Sequence, residues 1–141
     1  MFWEWLRHQG TLGNVKIPLE QFEEVTSGRG DIVDWLCTEE CRAALILAED
    51  LDPALVADTT LQGYGPLDEN GVELVGRDPF LVAYGRVEPG ERTVVSFEVS
   101  KPGKQGANRK VPDVCRDFGV PCCSLFDMIE ALDFTTAWQQ P

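Results

Sequence analysis

Every short apolar run in this chain that could pair as a strand is separated from the next by at least one helical segment, and no two such runs are joined by a tight turn. That alternation leaves antiparallel hairpins no obvious place and predicts strands laid side by side in parallel with helices as crossovers. The runs are Val15–Ile17, Ala43–Ala48, Thr93–Phe97 and Val120–Ser124. The second is too short for periodicity to separate a helix end from a buried strand, and strand is the expectation. The whole predicts a single three-layer α/β/α domain over residues 1–141 with a mainly parallel central sheet.

The helical segments are set by apolar spacing and punctuation. Phe2, Trp3 and Leu6 give a first helix one apolar flank, with Gly10 and Gly13 as its stop. Pro18 suits the first turn of a second helix, where Leu19, Phe22 and Val25 recur at three-residue intervals and Glu20, Glu23 and Glu24 take other faces. Asp31 can cap a third helix, with Ile32, Trp35 and Leu36 on its buried stripe. Asp52-Pro53 and Asp78-Pro79 each offer a cap followed by a first-turn proline. Gly63–Gly76 reads as loop or turns, because it is rich in Gly, Pro, Asp and Asn. Pro112-Asp113 opens a helix closed by Gly119, and Leu125, Met128, Ile129 and Leu132 make a final amphipathic one. The tail from Phe134 carries no clear pattern.

Asp and Glu outnumber Lys and Arg by 24 to 12, for a formal net charge of −12. Such a balance argues against an unspecific polyanion binder, whose affinity rests on neutralising phosphates. It fits acids gathered around a metal, or an acidic face for a basic protein partner. The segment Ser100–Lys110 runs the other way: Lys101, Lys104, Arg109 and Lys110 stand in a surface loop punctuated by Gly103 and Gly106. The start of the chain has no secretory pattern and no stretch nears the ~20 apolar residues of a membrane span, so a cytoplasmic protein is the expectation. The five cysteines match no zinc-knuckle spacing and read as reduced thiols. His8, the single histidine, lies on a predicted surface helix, where a role in a catalytic triad is not expected.

Taken singly, each acid of interest has a bland role: Glu24 a solvated helix acid, Asp78 a cap, Glu98 a strand-end charge, Asp113 a carboxylate favoured by a helix dipole. Together they extend over several motifs. Glu24-Val25-Thr26-Ser27-Gly28 with Trp35, Asp78-Pro79-Phe80-Leu81-Val82-Ala83-Tyr84, Val94-Val95-Ser96-Phe97-Glu98, and Val111-Pro112-Asp113-Val114-Cys115 with Phe118-Gly119-Val120 resemble an uncharacterised branch of the PIN-like family related to nuclease toxins of toxin–antitoxin pairs. The resemblance implies a metal-dependent endoribonuclease. It carries Glu24 and Asp78 to the helix acids of that site, and Glu98 or Asp113, or both, to the acids after the later strand. The first-strand Asp of the family has no counterpart here, and the chain reads as an N-terminally incomplete domain.

Carboxylate ligands suit hard Mg²⁺ or Mn²⁺, and several carboxylates stay ionised together only with cationic compensation. The expectation is therefore that Glu24, Asp78, Glu98 and Asp113 are catalytic metal ligands. Lys101, Lys104, Arg109 and Lys110 would lie along the RNA backbone. RNA as substrate, an antitoxin protein and a second copy of the chain are the partners implied, and no membrane. The competing expectation is a catalytically inactive PIN-like module that binds a protein or assembles with itself.

Overall fold

The computed structural model describes residues 1–135 and 137–139. The chain is a helix-rich α/β protein whose short strands pair in parallel, and its contacts divide it into two compact units. One is Met1–Glu49 with Leu132–Pro141, the other Asp50–Ala131.

The N-terminal unit holds α1 (Phe2–Thr11), β1 (Ile17–Pro18), α2 (Leu19–Thr26), α3 (Asp31–Leu36), α4 (Glu39–Leu45) and β2 (Ile46–Leu47). Ile17 pairs with Ile46 and Pro18 with Leu47. Pro18 thus ends a strand instead of lying in the first turn of α2, as expected from its helix-start preference. A strand of two residues tolerates the missing N–H of proline. Half of the run 43–48 belongs to α4, which Thr38 caps by accepting from the Cys41 N–H at 3.4 Å, and only Ile46 and Leu47 pair as a strand. The core gathers Phe22, Leu36, Cys41, Ala44 and Leu45, with Leu6, Val15, Ile17, Trp35 and Ile46 packed on it. Trp5 is buried, its ring 4.9 Å from that of Phe134, which gives the start of the tail a packing role the sequence pattern did not show. Gly10 does not stop α1. It lies inside the helix, where an added Cβ would sit 2.6 Å from the Ala44 carbonyl oxygen, so glycine is the residue that lets α1 and α4 approach.

The C-terminal unit holds α5 (Pro53–Tyr64), α6 (Glu69–Val75), α7 (Asp78–Val87), β3 (Val94–Val95), α8 (Val111–Asp117), β4 (Cys122–Cys123) and α9 (Leu125–Ala131), with a 3₁₀ turn at Gly106–Asn108. Asp52 caps α5 through the Ala54 N–H, as its Asp-Pro pair predicts. The stretch read as loop contains α6, because Asp68 accepts from the Gly71 N–H at 2.8 Å and Val75 reaches the core. Val94 pairs with Cys122 and Val95 with Cys123, in parallel. Gly119, at φ +69, turns the chain out of α8 while the Val120 N–H returns to the Cys115 carbonyl at 2.9 Å, which aims the chain into β4. Tyr64, Val75, Val82, Val94, Val111, Val114, Cys115 and Val120 form the core. Among the described residues no helix is long and apolar enough to cross a membrane.

Candidate functional site

Within the C-terminal unit, three elements present chemistry-bearing groups around the end of α5. The first is the start of α7. Asp78 is the first residue of that helix, half-buried and followed by Pro79; the preceding Arg77 holds the cap position and makes no side-chain cap bond. Asp78 is therefore a first-turn acid, favoured by the helix dipole, and not the cap that its Asp-Pro pair suggests. The second is the segment after β3. Glu98 lies three residues beyond Val95, and its Oε2 accepts the Val111 N–H at 3.1 Å, which ties the strand end to the first turn of α8.

Tyr64 is the last residue of α5. Tyr64 is 3% exposed, and its hydroxyl has no hydrogen-bond partner among the described residues. Burial pushes the phenol well above its ordinary pKa, the negative charges of Asp78 and Glu98 push it further, the Cys115 thiol adds to this, and the Arg109 guanidinium opposes it. The phenol is thus neutral and remains a hydrogen-bond donor. By sequence Tyr64 falls in an expected loop and has no expected role. Its only signal was an aromatic residue between two glycines.

The third element is the start of α8, and here the expected ligand is already engaged. Asp113 is 2% exposed; its Oδ1 accepts a short hydrogen bond from the Ser100 hydroxyl and lies 3.4 Å from the Arg116 guanidinium, while Oδ2 accepts the Lys101 N–H at 2.8 Å. The Ser100 bond, aided by the Lys101 N–H and the charges of Arg116 and Arg109, holds the Asp113 carboxyl below its ordinary pKa despite burial. Asp113 therefore latches the basic segment to α8.

The four cations of that segment divide by surroundings. Arg109 donates to the Gly63 carbonyl at 2.6 Å and pairs with Asp117 at 2.7 Å, so it braces α5 against α8. Lys110 is half-buried at the cap of α8, whereas Lys101 and Lys104 are exposed. Glu24 is an exposed residue of α2 in the N-terminal unit. Among the described residues no group of three or more His, Cys, Asp or Glu is disposed to hold a metal ion. Asp78 and Glu98 are the two acids whose charge acts on the Tyr64 phenol.

The same unit also carries two thiols in contact. Cys115, buried in the core, donates its S–H to Cys122, which raises the pKa of Cys115 and lowers that of Cys122.

Residues 1–136 match the model of a family described as Domain of unknown function (DUF4411). No curated protein and no solved structure matches the chain.

Proposed function

The chain belongs to the DUF4411 family, whose description leaves its activity open, and from that premise we propose that it is a metal-dependent endoribonuclease of the PIN-like toxin type. On this reading residues 1–141 make one α/β/α domain with a mainly parallel central sheet. The observation that supports the proposal is a buried phenol with no hydrogen-bond partner among the described residues, on which the charges of Asp78 and Glu98, from two different segments, both act. An orphaned buried hydroxyl under the charge of two carboxylates fits a place for a hydrated cation. Asp78 and Glu98 would hold Mg²⁺ or Mn²⁺, for which carboxylate oxygens are suited. When bound, such an ion supplies a water of lowered pKa and neutralises charge on the leaving oxygen.

The other groups have supporting tasks. Asp113 fixes the backbone at Lys101, and Lys101 and Lys104 supply the exposed charge for the RNA phosphates. Arg109 and Lys110 retain the RNA-facing roles that the resemblance implies only as secondary members of this proposal. A cytoplasmic location, an antitoxin protein as partner and a homo-oligomer belong to the same reading.

Cleavage of single-stranded and structured RNA, followed with Mg²⁺, Mn²⁺ or chelator, tests it. Asp78→Asn and Glu98→Gln should each lower the metal-dependent rate about 100-fold or more. Cleavage that survives chelator, or is unchanged in both variants, overturns the proposal.

One observation favours a second reading. The Asp113 oxygens are engaged inside the fold, which leaves fewer carboxylates for a metal than an active PIN-like site is expected to use. That reading is a non-cleaving module that binds a protein or its own copy. It predicts no cleavage under any metal condition and a solution mass, by light scattering, above that of one 15.7 kDa chain.

A further inference from the structure

The fold of the C-terminal unit brings two thiols together from α8 and β4. Cys122 pairs with Val94 and Cys123 with Val95, and neighbours along a strand point to opposite faces. Val94 is a buried core residue, so Cys122 shares its face and packs on the core cluster that contains Cys115, while Cys123 takes the other face. The turn at Gly119 sets this arrangement, because the Val120 N–H returns to the Cys115 carbonyl at 2.9 Å and folds β4 back against α8. The Cys115 S–H then donates to the Cys122 sulfur.

The two thiols differ in access. Cys115 is 0% exposed, so a reagent in solution does not reach it. Cys122 is half-buried and lines an open cavity of about 470 Å³, bounded by Pro112 and Arg116 of α8 on one side and by the turn through Gly119 and Pro121 on the other. One water molecule takes up roughly 30 Å³ of liquid, so a small hydroperoxide has room to enter with its solvent. A buried thiol by itself is an inert filler of the core. A reachable thiol with a second thiol behind it is the arrangement in which a sulfenic acid condenses to a disulfide.

We propose that Cys122 is the site at which a small hydroperoxide oxidises this chain, and that Cys115 closes the product as an intramolecular disulfide between α8 and β4. In the first step the Cys122 sulfur attacks one peroxide oxygen, an S–O bond forms and the O–O bond breaks. The thiol proton ends on the other oxygen, which leaves as water or an alcohol, and Cys122 is then a sulfenic acid. In the second step the Cys115 sulfur attacks the Cys122 sulfur, the S–O bond breaks, and the hydroxyl leaves as water with the Cys115 proton. The two thiols give up two electrons and the peroxide takes them. An external dithiol restores both thiols and becomes a disulfide itself. The modification is independent of the metal reading, in which neither cysteine takes part.

Treatment of the reduced full chain with hydrogen peroxide, alkylation of the remaining thiols and digestion with trypsin test it without any variant. Trypsin cuts after Lys110 and Arg116, so Cys115 leaves on the fragment Val111–Arg116 and Cys122 leaves with Cys123 on Asp117–Pro141. Mass spectrometry should find these two fragments joined, and dithiothreitol should separate them. Fragmentation between the adjacent cysteines should place the bond on Cys122 at least about tenfold more often than on Cys123, a preference that the guanidinium-unfolded chain should lose because both are then equally within reach. Cys122→Ser should slow the loss of the Cys115 thiol about tenfold or more, while Cys123→Ser should leave the link in place. Cys115 recovered alkylated after Cys122 has been oxidised overturns the disulfide. A Cys122 thiol that survives peroxide concentrations at which the exposed Cys37 is oxidised overturns the site itself. A bond found mainly on Cys123 in the folded chain overturns both, since it would mean that Cys122 does not lie against Cys115.

Discussion

Asp113 and Tyr64 show how far one side chain's role depends on which neighbour reaches it first. Asp113 is an acid near the start of a helix, like Asp78, yet Ser100 and the Lys101 N–H occupy its oxygens. These bonds favour the ionised form, so the folded pKa lies below the ordinary 3.8. A lowered folded pKa means the unfolded chain takes up the proton first as pH falls. The stabilisation from Asp113 is therefore fully present above pH 3.8 and is lost as the pH drops through the lower folded value. Asp113→Asn should flatten the acid limb of Tm against pH in that window and lower Tm at neutral pH. An acid limb of the same slope in both proteins would remove the latch role. Tyr64 is the converse case, a buried hydroxyl that no described group hydrogen-bonds.

At the scale of elements, caps and close approaches decide where helices run. Asp52 and Asp68 both cap helices through backbone N–H groups, and the Asp52 cap was legible because a first-turn proline follows it. The Asp68 cap was hidden in a stretch whose Gly, Pro and Asn content reads as loop. Gly10 illustrates the opposite error, a glycine taken as a stop that is instead a contact. In an exposed helix Gly→Ala gains about 1 kcal/mol. Here the added methyl would meet the Ala44 carbonyl oxygen at 2.6 Å and Leu45 Cδ2 at 2.7 Å. Backbone cannot swing aside as a side chain can, so Gly10→Ala should destabilise the chain by about 1–3 kcal/mol in urea unfolding. A stabilised variant would show that α1 and α4 do not meet this closely.

For the whole molecule, the acidic balance and the basic segment make opposing demands on a polyanionic substrate. A net charge of −12 repels RNA at long range, so binding would depend on a few local cations. With Arg109 and Asp113 engaged in the fold, Lys101 and Lys104 are the exposed ones to test. Replacing both by Gln should weaken single-stranded RNA binding and reduce the slope of log K against log salt by about 1.4, at about 0.7 per phosphate contact. An unchanged slope, measured by fluorescence anisotropy, would place the RNA elsewhere. The sequence by itself determined the helix-rich α/β class and the parallel pairing of the strands, because both follow from local periodicity and from helices standing between the strand runs. It also located most helices, through apolar spacing at residues such as Leu19, Phe22 and Leu125. Tertiary structure decided the rest. Strand length was one such matter, since a run such as Ala43–Ala48 is equally apolar as helix or strand and only the Thr38 cap and the pairing of Ile46 with Ile17 divide it. The division of the core into two clusters, one around Phe22 and Leu45 and one around Val82 and Val114, was another. The last was the surroundings of the acids: Asp113 and Asp78 carry the same local signals, and only the hydrogen bonds from Ser100 and the Lys101 N–H bury the oxygens of Asp113 inside the fold.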